Sequence, residues 1–473
     1  MGLDTTVKAL AGITSLLLAG ALAAGCTRDS SGAASTAGAS TAGQTPITQA
    51  PTATAPPIGA WYRGDLHSHS ATYSEDARRQ GGDPIDVTVR VAERVGLDFL
   101  AGTDHRSNAV VTDPNFSSSQ LVCLPGMEWG GSMHAGAIGL TRPIQPNTTT
   151  SGALLTAEID TIIADVHQQG GVFVLNHPVE GMWAVDPVAF DAVEVWNGMW
   201  SLQTFAPLTQ QDLDAQMTGL GLTQAGVPPS PHAVAAVADQ RGSSSLQAVT
   251  LWESYLDSGR RVAAVGGGDR HMLRPQGYPT THVYAASRDR KGILDGIRAA
   301  RTFVSRTPQG PLVAFSADAD RDGVFEALVG DEVVAGRPAD FRVVVEGAQG
   351  GRVDVIKRGA VIRSEAVTSS THALTFSDTP AAGDWYRVDV YEAIDPAVVA
   401  REGLALKLAQ QSGKEWTILA ALLAMAPSSA YDTSWGTLLP TLILPDQVDR
   451  LANASIKDPG FCRGAITSAI YTR

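Results

Sequence analysis

Between Trp61 and about Pro311, short apolar runs alternate with longer stretches of helical spacing. Asp65-Leu66-His67 opens as a strand. Asp83-Pro84 reads as an N-cap with proline in the first turn, and Ile85, Val89, Ala92 and Val95 then follow a helical period until Gly96 stops it. Leu97 to Thr103 is a buried strand delivering Asp104-His105, with further strands at Leu121 to Glu128 and His134 to Leu140. Ala153 to Gln169 is a helix closed by Gly170-Gly171, after which Val172 to Leu175 delivers Asn176-His177-Pro178. Ala192 to Trp196, Arg261 to Val265 and His282 to Ala285 complete the set. This alternation predicts a parallel sheet, and roughly eight strands at this length favour an α/β barrel over an open sheet. The polar motifs fall mostly at strand C-terminal ends, where barrel enzymes carry their chemistry.

The pattern changes after Pro311. Val313 to Ala317, Phe341 to Glu346, Val353 to Lys357, Ala373 to Phe376 and Trp385 to Tyr391 are short β-rich runs between turn residues, and Ala465 to Thr472 reads as a closing strand. They predict a small antiparallel sandwich over 312–473, interrupted by a helical insertion at about 396–460. Within that insertion, Trp416 to Ala426 is shorter than the ~20 apolar residues of a membrane span and reads as a core helix. Between Gly198 and Leu246 lies a second insertion, either a lid over the site or a peripheral excursion.

At 473 residues the chain suits one large core plus a smaller unit. Its net charge of −13 disfavours a broad footprint on duplex DNA or anionic lipid, although a small basic pocket is compatible with it. Residues 1–26 read as an export signal: Lys8, a short apolar segment from Ala9 to Ala24, then small residues. Leu22-Ala23-Ala24-Gly25-Cys26 resembles a bacterial lipoprotein cleavage site, with Leu22 one position farther from the cysteine than usual. The expected product is either a membrane lipoprotein anchored through lipidated Cys26 or a secreted protein. Residues 27–60 are Ser, Thr, Ala, Gly and Pro with almost no large apolar side chains, a flexible tether. Cys123 and Cys462 remain, to be bridged in an oxidising compartment or left as two thiols.

The candidate chemistry sits in histidines. Of ten, His67, His69, His105, His134, His177 and His271 lie in short polar motifs at strand ends or starts, with carboxylates at Asp65, Asp104, Glu128, Glu194 and Asp269. His67 and His69, one residue apart in extended chain, project to one face, as a divalent metal requires of rigid backbone. His167, His232, His282 and His372 read as surface or structural. Clustered His/carboxylate sites suit Mn, Zn or Fe, which ligand type alone does not separate.

Gly64-Asp65-Leu66-His67-Ser68-His69-Ser70, Thr103-Asp104-His105, Gly126-Met127-Glu128, His134, Asn176-His177-Pro178 and Gly268-Asp269-Arg270-His271 together resemble the PHP (polymerase and histidinol phosphatase) superfamily. Gly126-Met127-Glu128-Trp129, Val193-Glu194-Val195-Trp196-Asn197 and the extra C-terminal part look most like its CehA/McbA-type branch, which includes carbamate hydrolases. The resemblance implies a distorted (β/α)7-type barrel over 61–311 with two or three divalent metals. It implies that His67 and His69 bind one metal with Glu128 and Asp269 bridging, that His134 and His177 hold a second beside Glu128, and that His105 and His271 hold a third. Where many members add a ligand after the first motif, this chain reads Ser74-Glu75-Asp76, so Glu75 or Asp76 substitutes.

The implied chemistry is hydrolysis by a metal-bound hydroxide. Asp104 and His105 are the catalytic candidates, Asp104 either orienting a ligand and shuttling a proton or simply capping a strand end. Arg270 points to the opposite face from its neighbours, and Arg301 meets either an anionic substrate or a surface carboxylate. A small-molecule phosphoester is the most general substrate; the alternatives are a carbamate, amide or carboxyl ester, or a non-catalytic surface protein that merely holds metal. Trp129, Trp196 and Asn197 beside the ligands would give a partly aromatic pocket, which favours an organic leaving group.

One motif stands apart. Asp318-Ala319-Asp320-Arg321-Asp322-Gly323 has the spaced carboxylates of a calcium loop, but Val329 stands where an EF-hand carries glutamate. It is either a calcium site, completed by Asp331 or Glu332, or a solvated acidic turn.

Overall fold

The computed structural model describes residues 59–131, 133–146, 152–178, 189–198, 244–271, 276–393 and 461–473. All belong to one compact unit, Ala53–Arg473; the other, Met1–Thr52, lies outside the described residues. Also outside them are the export segment with Cys26, nearly all of the tether, most of the 198–246 insertion with His232, and the 396–460 insertion.

The first half supplies strands β1 (Ala60–Asp65), β2 (Phe99–Gly102), β3 (Val122–Trp129), β4 (Ala135–Ile138), β5 (Val172–Leu175), β6 (Ala192–Asn197), β7 (Ala263–Gly267), β8 (Thr280–Ala285) and β9 (Thr302–Ser305). The helices are α1 (Glu75–Arg79), α2 (Ile85–Arg94), α3 (Gly152–Gln168), α4 (Ser244–Asp257) and α5 (Arg290–Arg298). Strands run in the order β9-β8-β1-β2-β3-β4-β5-β6-β7. Pairing is parallel over β1-β2-β3 and again over β5-β6-β7, as strand–helix alternation requires. It is antiparallel on both sides of β4. The short Gly130–His134 connection explains the antiparallel β3–β4 pair, because a parallel crossover needs a dozen or more residues. β8 is also antiparallel to β1 and β9.

Among the described residues the strand pairings form a mixed sheet that does not close into a ring, so the expected barrel is not shown by them. Side-chain hydroxyls meet the outer edge of β7. Gly266 N donates to Thr281 Oγ1 at 2.8 Å, and that hydroxyl donates to Gly266 O at 2.7 Å. Thr302 Oγ1 donates to Ala264 O at 2.8 Å, and Ala264 N donates to Ser468 Oγ at 2.9 Å. These hydroxyls take backbone groups that a closing strand would otherwise pair.

Beyond residue 311 the chain adds β10 (Leu312–Asp318), β11 (Ala327–Leu328), β12 (Glu332–Val333), β13 (Ala339–Glu346), β14 (Arg352–Lys357), β15 (Ala360–Ala366), β16 (Thr371–Asp378), β17 (Trp385–Ala393), β18 (Phe461–Thr467) and β19 (Ile470–Thr472). A separate four-stranded sheet has the order β11-β10-β13-β16. Phe315, Phe341, Val343 and Phe376 from it share a buried core with Val353, Val355, Val388 and Val390 from β14 and β17. The two layers share one core, and the second continues the main sheet through β18, which pairs with β9. The closing strand is split at Ser468-Ala469, and Ser468 Oγ turns inward to Ala264 and Thr302. Cys123 and Cys462 are not joined by a disulfide.

Two local expectations change. β1 ends at Asp65, so His67 and His69 follow the strand rather than enter one, flanking the isolated bridge between Ser68 and Arg270. The chain bends at Leu66, and His67 and His69 still both reach Glu128 and Asp269. Asp83 does not cap α2; it is buried in an ion pair with Arg270.

Candidate metal centre

The β1 and β7 ends meet first. Asp65 Oδ1 accepts from His67 N at 3.0 Å and from Gly268 N at 2.9 Å; its Oδ2 accepts from Gln276 Nε2 at 2.7 Å and Gly277 N at 2.8 Å. A carboxylate accepting several backbone N–H groups is a rigid staple. On the other side of the loop, Asp104 accepts from Ser70 N at 2.6 Å and Ser70 Oγ at 2.8 Å. Its carboxylate therefore grips the first motif's backbone. Burial pushes both Asp65 and Asp104 above the usual carboxylate range, against the hydrogen bonds that hold them charged.

Six imidazoles then converge on three carboxylates. Glu128 is fully buried and lies 2.8 Å from His105 Nδ1, 3.0 Å from His67 Nε2, 3.1 Å from His177 Nε2, and 3.3 Å from both His69 Nε2 and His134 Nδ1. Asp269 Oδ1 lies 3.2 Å from His69 Nε2, 3.2 Å from His271 Nδ1 and 3.4 Å from His67 Nε2. Asp76, at the start of α1, reaches His105 Nε2 at 2.9 Å and His271 Nε2 at 3.0 Å. The rings approach one another through nitrogens: His67 Nε2 to His69 Nε2 is 3.2 Å, and His105 Nε2 to His271 Nε2 is 3.2 Å.

This donor set fits divalent cations. Four overlapping groups have ligand atoms close enough to share an ion: His67, His69 and Asp269; His67, Glu128 and His177; His105, Glu128 and His134; and His69, His105 and His271. Among the described residues, buried Glu128 Oε2 and His134 Nδ1 have no hydrogen-bond partner of ordinary geometry. Buried lone pairs of this kind are costly unless a cation or proton meets them.

Electrostatics point the same way. Burial pushes the His67 ring down, but Asp269, Glu128 and Glu194 outweigh it and hold the imidazole well above its usual range. Against the same burial cost, Glu128 and Asp76 lift His105 to about 9, while Asp269 and Asp76 lift His271 to about 10. Burial and the neighbouring His271 and His105 push His69 down. Burial would raise the Glu128 and Asp269 carboxyls, yet the imidazoles hold both well below the usual carboxylate range. The carboxylates impose a demand for positive charge at this point.

Support comes from residues whose role sequence reasoning did not assign. Glu194 Oε1 accepts from His67 Nδ1 at 3.0 Å, and its Oε2 accepts from His177 N at 2.7 Å and Asn197 Nδ2 at 2.9 Å. Asn176 Nδ2 donates to Glu128 Oε1 at 3.0 Å, and Ser74 Oγ lies 3.2 Å from His69 Nδ1 while accepting from His105 N at 3.0 Å. Asn176 and Asn197 were legible only as neighbours of motif residues; Ser74 had no signal beyond its place beside Asp76. His177 and Asp269 sit at positive φ, 24° and 48°. Holding non-glycine residues there costs about 1–3 kcal/mol each, which the surrounding hydrogen bonds offset.

Other candidates fall elsewhere. Glu75 is exposed and pairs with Arg79 along α1, so it does not substitute as a ligand. Arg301 pairs with Asp331 at 2.9 Å. Trp129 and Trp196 are buried in the apolar core rather than lining the centre, because side chains alternate along β3 and β6 while Glu128 and Asn197 take the polar face. Of the histidines set aside, His167 binds Asp191 and His282 binds Ser305, each at 2.8 Å. Asp318, Asp320 and Asp322 form a loop with Glu326, whose carboxylate comes within 4.8 Å of theirs; Asp331, by contrast, binds Arg301. Asp318 already accepts from the Arg321, Asp322 and Gly323 amides.

No family model and no curated protein matches the chain. A solved structure similar in part is a two-domain protein containing a predicted PHP-like metal-dependent phosphoesterase from Bacteroides vulgatus, 14% identical, covering 74% of this chain and 95% of that one with a TM-score of 0.35. A likeness that distant decides nothing about the centre, whose reading rests on its side chains.

Proposed function

We propose that this chain is a PHP-like metal-dependent hydrolase acting on small-molecule phosphoesters. The observation that carries it is the sharing of buried Glu128 among five imidazoles, with buried Asp269 and the more exposed Asp76 completing a cluster that has room in its donor set for two or three cations. His67, His69, His105, His134, His177, His271, Glu128, Asp269 and Asp76 would hold them. Divalent cations held there would supply Lewis acidity and would bring the pKa of water towards ~7 in favourable sites. Adjacent cations suit in-line displacement at phosphorus, where attacking and leaving oxygens both need charge stabilisation.

The chain's own residues do the rest. Asp65 and Asp104 fix the loop that presents His67 and His69, and Asn176 orients Glu128. Asp76 is the ligand candidate nearest solvent, with its side chain 42% exposed, so we assign the substrate's approach to the α1 side. With Trp129 and Trp196 in the core, the aromatic-pocket argument for carbamates is lost. Export through residues 1–26, and a boundary near residue 311, belong to the same proposal.

The test is a substrate panel with the full chain loaded with Mn or Zn. Turnover of p-nitrophenyl phosphate mono- or diesters that disappears in His67→Ala is the expected result. Turnover confined to p-nitrophenyl acetate or a 1-naphthyl carbamate would overturn the phosphoester assignment.

A further inference from the structure

We propose that Glu194 is a positioning residue that sets three members of the metal centre at once; this rests on the metal-centre reading above. Its carboxylate is buried at the heart of β6. Oε1 accepts from His67 Nδ1, which fixes that ring's tautomer and turns Nε2 towards Glu128 and Asp269. Oε2 accepts from the main-chain N–H of His177, a residue at positive φ, and so holds that backbone where the ring reaches Glu128. The same oxygen accepts from Asn197 Nδ2, which also donates to Asp269 Oδ2 at 3.2 Å. One carboxylate thus reaches an imidazole by its side chain, a second by its backbone, and a carboxylate through an amide relay.

The packing agrees. A Cβ placed on Gly267 would lie 2.3 Å from His67 Cβ and 2.7 Å from Glu194 Oε1, so β7 approaches the pair as closely as a glycine allows. β6 carries a register shift against β7 between Glu194 and Trp196. That irregularity brings Glu194 and Asn197 together on one side while Trp196 enters the core. A carboxylate behind a ligating histidine raises ligand basicity and orients the ring, and its loss typically weakens metal binding ten- to a hundredfold.

The experiment uses Co(II) as the probe with the metal-free full chain, reading affinity by titration and geometry by the visible absorption spectrum. Thermal stability of each metal-free variant is measured in parallel. Glu194→Gln keeps volume and one acceptor, and is expected to weaken Co(II) binding tenfold or more with an altered spectrum and a melting temperature near wild type. Asn197→Ala, which leaves Glu194 in place, is expected to weaken binding less. If Glu194→Gln does not fold, Asn197→Ala carries the test through the Asp269 branch. Wild-type affinity and spectrum in the folded variants, or a fall in melting temperature alone, would overturn the proposal. No Co(II) uptake by wild type would overturn the metal reading itself, a different outcome from wild-type uptake that the variants share.

Discussion

Asp65 accepts a hydrogen bond at 2.9 Å from the Gly268 amide, 203 residues away in sequence, and thereby joins the two histidine motifs. The same oxygen holds His67 N, so the geometry between His67 and Asp269 depends on this carboxylate. Asp65→Ala would strand four buried donors: the His67, Gly268 and Gly277 amides and the Gln276 side chain. Each costs about 1–3 kcal/mol. The expected loss of stability is about 3 kcal/mol or more by urea unfolding; a change below ~1 kcal/mol would remove the staple role.

Gly267 leaves no room for a side chain beside His67 and Glu194. Gly267→Ala should therefore lower metal content and melting temperature together, since neither neighbour can move without releasing a ligand. Elemental analysis of the purified variant checks this. Full metal content would show that the strand can shift.

Metal loading should release protons. Burial lowers the rings, but the surrounding carboxylates hold His105 at about 9 and His271 at about 10, so without metal both are protonated at neutral pH. A cation needs the neutral ring, and affinity should rise with pH up to these values. Calorimetry at pH 7 in buffers of different ionisation enthalpy should give a net release of more than one proton per chain. Buffer-independent heats would contradict it.

His282 makes a prediction away from the centre. It is buried, stacked on Phe303 at 4.2 Å and bonded to Ser305, and burial together with Arg63 lowers its pKa to about 3. The folded value lies below the unfolded ~6.5, so the unfolded state binds the extra proton. Its contribution is fully present above pH ~6.5 and is lost as pH falls towards 3, by up to about 1.4 kcal/mol per pH unit. Equilibrium unfolding across pH 7 to 4 should show a shallower acid loss in His282→Gln than in wild type. Parallel curves would exclude His282 as a source.

The sequence carried most of this centre because its ligands sit in local motifs with a period of two or at strand ends, as with His67/His69 and Asp269/His271. Asp76 was legible only as one of two neighbours; a helical turn decided between it and Glu75, placing one inward and the other in solvent. Glu194 reaches His67, Ser74 reaches His105, and Asn176 and Asn197 reach Glu128 and Asp269 through long-range contacts that no spacing encodes. The strands were legible from apolar runs, whereas the lack of backbone pairing on the outer edge of β7 among the described residues was not. Closure is a question of whether β7 meets backbone or the hydroxyls of Thr281, Thr302 and Ser468, and serine and threonine look alike in either setting. Trp129 and Trp196 misled because adjacency in sequence on a strand means opposite faces.

The most direct measurement is the metal content of the full chain, loaded with Mn or Zn and dialysed, beside Glu128→Ala. Two or three ions per chain are expected in wild type and fewer than one in the variant, since Glu128 lies between five of the imidazoles. A wild-type chain that retains no divalent ion, or a variant that keeps them all, would contradict it.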